Sequence, residues 1–402
     1  MDQTDVLQLL DPQTLTNVVH QAIGSHTLDI TSWQLNALGR PSAGFATGGL
    51  FRIAGIGSDH GTTITWSVVL KILQAPTSEL DSSQDPDLTH YAYWKREALL
   101  YQSGLLADLP EGLSAPRCYG VSESSTAIWL WLEELTDQYG EIWPLERYRL
   151  AAQHVGRLSG TYLTSRALPA APWLSRGHDR RFVADISGAI AAIFEVFQQD
   201  SVWEHPILRR VFPVPAFDPF LRFWANHTRF LDALDRLPQT FCHYDVMRPN
   251  LFARRRMHGQ DQTVAIDWAH SGIAGVGVEL AELVVGSLLF LHGAANDAAM
   301  LDRLAFAGYV DGLHDAGWHG DPQVARFGHL TSALVRLGVL GLWLLSHALD
   351  ERNAAETEAT WNRPIGDLVE HWARVVGFIF SLVDETQGLL ERLEQGGSQA
   401  QR

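Results

Sequence analysis

From Ile64 to Ile72 every second residue is apolar: Ile64, Trp66, Val68, Leu70 and Ile72. Such alternation marks one face of a β-strand packed on a core. Lys71 falls on the opposite face, beside Val69 and Leu73. This run and Leu50-Phe51-Arg52-Ile53 flank Gly55-Ile56-Gly57-Ser58-Asp59-His60-Gly61, so the pattern predicts a hairpin. Upstream, residues 1 to about 30 read as a helical leader in which Asp11-Pro12 starts one amphipathic segment. Strand-like runs broken by glycine begin at Trp33.

Further on, residues 76 to 88 form a polar loop, and a helix is predicted from about Thr89 to Ser103, stopped by Gly104. Two more strands follow, near Pro116–Val121 and Ala127–Leu132. Glu133-Glu134-Leu135-Thr136-Asp137 reads as a linker, after which the chain is mostly helical, broken by turns at Pro169–Pro172 and Pro213–Pro219. The expected fold class is α+β in two lobes. An N-terminal lobe (1–134) holds an antiparallel sheet and a helix, a larger helical lobe spans 135–395, and 396–402 is a disordered tail.

Composition narrows the function. The 402 residues are 46% hydrophobic and 19% charged, ordinary for a globular protein of this size. A net charge of −16, from 30 basic and 46 acidic residues, argues against nucleic acid, whose phosphates call for a basic stripe. Two cysteines, Cys118 and Cys242, give no disulfide framework and suit a reducing cytosol. Met1–Leu10 carries Asp2 and Asp5 and no basic stretch, so no signal peptide is expected. The longest apolar stretch, Leu337–Leu345, is shorter than the roughly 18 residues that suggest a membrane span and reads as a buried helix. A cytoplasmic protein without membrane contact is expected.

Candidate chemistry concentrates in Cys242-His243-Tyr244-Asp245-Val246-Met247-Arg248-Pro249-Asn250-Leu251, followed by Val264-Ala265-Ile266-Asp267-Trp268. Phosphoryl transfer from ATP needs an acceptor for the hydroxyl proton and oxygen ligands that hold Mg²⁺ on the phosphates. Asp245 and Asn250 on one loop supply a base and one metal ligand. Asp267, at the end of the apolar run Thr263–Ile266, returns beside them as the second ligand if the intervening chain forms a hairpin. His243 belongs to the same catalytic loop, where hydrogen bonding to brace the loop suits it better than titration.

At these residues the chain resembles the aminoglycoside phosphotransferase family of small-molecule kinases, within the protein-kinase-like fold. The resemblance spans roughly residues 35 to 290 and is strongest over 242–283. It departs from the protein-kinase pattern at Tyr244, a slot where the small-molecule group often has Gly, and at Trp268, which replaces the Phe of Asp-Phe-Gly. The resemblance implies that Lys71, in Val68-Val69-Leu70-Lys71, neutralises the α/β-phosphates, that Glu97 pairs with it, and that Val69 faces the adenine. It implies a phosphate loop at Gly44-Phe45-Ala46-Thr47-Gly48-Gly49, with Gly44, Gly48 and Gly49 letting backbone N–H groups approach the phosphates. The linker, Glu133 and Leu135 included, supplies backbone partners for adenine. Glu279, in Gly275-Val276-Gly277-Val278-Glu279-Leu280-Ala281, supports the catalytic loop.

The activity implied is an ATP- and Mg²⁺-dependent kinase acting on a small-molecule hydroxyl. An acidic surface, and tryptophans such as Trp143, Trp173, Trp203 and Trp224 near Asp137, Glu146, Asp179 and Glu204, are compatible with a cationic acceptor. Aminoglycosides, choline-like amines, amino alcohols and sugars all stay open, as does the oligomeric state. Two other readings stand beside it: a catalytically silent nucleotide-binding protein, and a metal-dependent hydrolase using His243, Asp245 and Asp267, which lacks the further His or Cys such sites commonly need.

Overall fold

The computed structural model describes residues 3–38, 47–75, 87–124, 126–212, 217–255 and 261–400, with side chains to 395. The leader folds as α1 (Gln3–Leu9) and α2 (Pro12–Ile23), with Asp11 capping the N-terminus of α2 through Gln13 N and Thr14 N. A five-stranded antiparallel sheet follows, built from β1 (Asp29–Ala37), β2 (Thr47–Asp59), β3 (Thr62–Gln74), β5 (Cys118–Glu123) and β6 (Ala127–Leu132) in the spatial order β1-β2-β3-β6-β5. β1 starts at Asp29, four residues before the expected strand onset. β2 and β3 are joined by His60-Gly61, both at positive φ (48° and 82°), the two-residue turn whose twist suits a hairpin.

Both faces of this sheet are covered, and the alternation in β3 decides which side chain goes where. Trp66, Val68, Leu70 and Ile72 pack with Phe51, Ile53 and Trp131 against Leu15, Val18 and Val19 of α2. Burying each such side chain contributes roughly 1.5–3 kcal/mol. Leu73, Leu130 and Leu132, on the other face, meet Trp94 and Ala98 at the start of α3 (Arg96–Ser103). Lys71 therefore stands on the α3 side, as the period of two requires.

The helix expected from Thr89 begins only at Arg96, and residues 88–95 are turns. The Arg96 guanidinium explains this: it donates to the carbonyls of Leu88, His90 and Tyr91, and also to Trp173 and Ala269. These bonds fasten the turns of 88–95 around the buried guanidinium, and the His90 carbonyl takes the Tyr93 N–H as well.

Beyond the linker the chain is mostly helical around one large core, in which α4 (Leu145–Thr164) packs along the helix Ala298–Asp315. Helix Pro322–Leu349 is 28 residues long, longer than the apolar run inside it. By length and composition it would pass for a membrane span, yet most of its apolar stretch lies inside this core. Small sheets tie the catalytic segment into the lobe. β9 (Leu251–Arg255) and β10 (Asp261–Ala265) form a hairpin, and β10 pairs in parallel with β4 (Leu113–Ser114). β8 (Gln239–Cys242) pairs with β11 (Gly272–Gly275), which also takes β7 (Ser175–Arg176) alongside in parallel.

Candidate active site

The register of the β9–β10 hairpin sets the site. Leu251 faces Ala265, so Asn250 and Ile266 lie just beyond the paired strands, and the Ile266 N–H donates to Asn250 O at 2.9 Å. Asp267 follows at once, in a left-handed conformation (φ 59°) that turns the chain out of the strand. Asn250 Nδ2 donates to the Asp245 carboxylate at 2.8 Å and to the Asp245 carbonyl at 2.9 Å. Asn250 and Asp245 are thus bonded directly, and Asp267 follows the Ile266 whose N–H Asn250 accepts.

His243 acts as the brace of this arrangement. Its Nδ1 accepts from the Asp245 N–H at 3.1 Å and its Nε2 donates to Ile266 O at 2.9 Å, while Trp268 lies against the ring with centroids 4.3 Å apart. Burial lowers its pKa to about 4, so the ring is neutral at physiological pH and holds the tautomer these bonds need. Glu279 Oε2 accepts from the backbone N–H of His243 at 2.9 Å and its Oε1 from Ser159, so it supports the loop from behind.

Across the cleft, Lys71 Nζ stands 2.6 Å from Glu97 Oε2 and 2.8 Å from Asp267 Oδ1. Lys71 is 6% exposed and Glu97 1%. Burial works against the ammonium, but Asp267 and Glu97 outweigh it and raise its pKa. For Asp267 burial is likewise overridden by Lys71 and its pKa is lowered, whereas burial pushes Glu97 upward. Burial, then Glu282 and Asp267, push the Asp245 carboxyl well above its ordinary value, against Arg336 and the Asn250 hydrogen bond, which lower it.

A strand lysine paired to a helix carboxylate, facing a strand-end Asp beyond an antiparallel sheet, decides the architecture. The fold is protein-kinase-like. Between the lobes of this kinase-like fold lies a cleft of about 400 Å³, and Val69, Lys71, Glu97, Glu133, Leu135, Asn250 and Asp267 are among its lining residues. Its apolar part comes from Leu38, Leu50, Val69, Pro116, Leu132, Leu135, Phe252 and Ile266. The Glu133 carboxylate takes Arg254 at 2.8 Å and the Arg117 N–H at 3.1 Å. Asp245 is not among the lining residues; it sits beyond Asn250.

Gly44 lies outside the described residues. Gly48 and Gly49 fall inside β2, where the pairing shifts register between Thr47 and Gly49, and Thr47 and Leu50 reach the cleft instead. The tryptophans offered for a cationic acceptor are used otherwise. Trp143 carries the guanidinium groups of Arg248 and Arg147 on its faces at 4.2 and 4.4 Å and bonds Asp137. Trp173, Trp203 and Trp224 are partly buried and pack against the large core.

Asp137, expected beside Trp143 as part of a site for a cationic acceptor, is taken up within the fold. It accepts from Ala253 N, Tyr139 N and Trp143 Nε1, fastening the end of the linker to the catalytic hairpin. Asp267 and Asn250 are oxygen donors, and Asn250 Nδ2 is engaged by Asp245, which turns its Oδ1 away from that carboxylate. Among the described residues no group of three or more His, Cys, Asp or Glu is placed to hold a metal. The donors fit Mg²⁺, which takes few protein ligands and completes its shell with phosphate and water.

No family model matches the chain, and no curated protein does. Similar solved structures include an aminoglycoside phosphotransferase from Alicyclobacillus acidocaldarius (14% identity, 96% of each chain, TM-score 0.48). Choline kinase from Cryptosporidium parvum matches at 11% identity over 96% of this chain and 97% of that one, with TM-score 0.48. An amicoumacin kinase solved with AMP-PNP and Ca²⁺ matches at 13% identity over 92% and 96%, with TM-score 0.46. Likeness at this level does not decide what the chain does; the residues of the cleft carry that argument.

Proposed function

We propose that the chain is an ATP-dependent phosphotransferase that moves the γ-phosphate to a hydroxyl of a small molecule, with aminoglycoside-like and other amine-bearing compounds among the candidate acceptors. The observation that carries this reading is Lys71, held between Glu97 and Asp267 at the mouth of an apolar cleft whose far wall continues through Asn250 to Asp245. The apolar walls take the adenine, with Val69 against it, and Lys71 neutralises the α/β-phosphates. Mg²⁺, when bound by Asp267 and Asn250, supplies charge neutralisation on the phosphates. Asp245 orients the acceptor O–H. The oxygen bonds to the γ-phosphorus as the bond to the β,γ-bridging oxygen breaks, ADP leaves, and the proton passes to Asp245.

The test is ADP release from Mg-ATP across a panel of hydroxylated amines and sugars. Asp245→Ala should abolish turnover with nucleotide affinity largely kept, and Asp267→Ala should weaken both. Wild-type rates in either variant would sink the assignment. Tight ATP binding with silence across the panel would favour a nucleotide-binding protein without catalysis.

A further inference from the structure

Behind the catalytic loop lies a buried polar chain that the phosphotransfer reading does not use. Tyr244, between His243 and Asp245, donates its hydroxyl to Asp179 Oδ2 at 3.1 Å. Asp179 Oδ1 accepts from Ser332 Oγ at 2.7 Å and from Arg336 Nε at 3.2 Å. Arg336 Nη1 pairs in turn with Glu282, and its guanidinium lies 5.6 Å from the centre of the Tyr244 ring. Arg336 is 6% exposed, Glu282 3% and Asp179 2%.

Three features separate this from ordinary packing. First, Tyr244 adopts φ 71°, a conformation that costs a non-glycine residue on the order of 1 kcal/mol, and what a tyrosine gains there is the ring contact and the bond to Asp179. Second, both partners of the ion pair come from widened helical turns: Arg336 from Ala333–Leu337 within helix Pro322–Leu349, and Glu282 from Glu282–Gly286. Each such turn holds one residue more than regular winding needs, a local irregularity that recurs at functional sites. Third, a Cβ added at Gly286 would stand 2.3 Å from Glu282 Oε2, so the glycine leaves the carboxylate its room. Glu282 is also near enough to Asp245 to raise its pKa, and Arg336 acts on the same group in the opposite sense. Without the guanidinium, two buried carboxylates would be left uncompensated beside the catalytic one.

We infer that Arg336 and Tyr244 are positioning residues, which fix the catalytic loop and hence Asp245 through the chain Tyr244–Asp179–Arg336–Glu282. The inference rests on the reading of Asp245 as the proton acceptor, but the anchoring itself is tested without turnover. In Tyr244→Phe, which removes one hydroxyl and keeps the ring, amide hydrogen exchange over 242–251 should quicken about tenfold while strand Thr62–Gln74 stays as in the wild type. Arg336→Lys should do the same, and if it fails to fold, Tyr244→Phe decides alone. ADP release at saturating Mg-ATP should fall about tenfold in Tyr244→Phe, with KM for ATP unchanged. Unchanged exchange over 242–251, or equal quickening in Thr62–Gln74, overturns the inference, as does a loss of rate that follows a rise in KM. Should the wild type turn over no acceptor, the phosphotransfer reading fails and the exchange measurement still judges the anchor.

Discussion

Lys71 and Asp267 lie 196 residues apart in the chain and 2.8 Å apart in the fold. Their contact closes the N-terminal sheet onto the catalytic hairpin, with Glu97 as a second carboxylate on the same ammonium. Removing one partner of a buried pair costs about 3–5 kcal/mol, because a charge is left without compensation. Lys71→Met should therefore lower the thermal midpoint as well as nucleotide affinity, whereas Lys71→Met with Glu97→Gln should recover much of the stability and none of the affinity. Thermal melts and nucleotide titrations of the single and double variants distinguish this from a lysine that serves the ligand alone.

Val69 stands two residues before Lys71 on the same face of β3, pairs with Leu132 of β6 and lines the apolar part of the cleft. Val69→Phe adds bulk to a cavity of about 400 Å³ without touching the charged residues. Nucleotide affinity should drop about tenfold or more while the melting temperature changes little. An unchanged dissociation constant for ATP would place the adenine elsewhere.

Acid stability follows from opposing groups. Burial holds His154 at about 3 and His243 and His270 at about 4, against an ordinary 6.5. Below pH 6.5 the unfolded chain takes up protons that the folded one refuses, so these residues lower stability as the pH falls toward 4. Glu279 works the other way: burial raises it to about 7 from 4.5, so the folded state holds its proton first and gains stability as the pH falls through that window. Each proton counts for about 1.4 kcal/mol per pH unit. The melting temperature should decline below pH 6.5, and more steeply in Glu279→Gln. A parallel or shallower decline in that variant would remove Glu279 from the balance.

The N-terminal lobe was legible because its information is local: the period-two run Ile64–Ile72 fixes both the strand and the side on which Lys71 stands. The hairpin between Asn250 and Asp267 was legible from spacing and from the apolar run that ends at Ile266. What escaped depends on distant partners. The late start of α3 reflects turns fastened around Arg96, which no helix propensity contains. Asp179 reads from sequence as an acidic group for a cationic acceptor, and only the fold shows it buried against Arg336. Arg336 left one trace, a lone charge directly before the apolar stretch Leu337–Leu345, and a buried charge in such company needs a partner.

The widened turn at Ala333–Leu337 makes the length of that helix part of the chemistry. A chain one residue shorter there could wind regularly, but every side chain past the cut would swing by about 100° relative to those before it. A cut before Arg336 would turn its guanidinium away from Glu282, which stands on a separate helical segment and would not move with it. A one-residue deletion in this stretch should accordingly lower both stability and turnover, because the buried residues from Val339 to Leu345 lose their places in the core together with the ion pair.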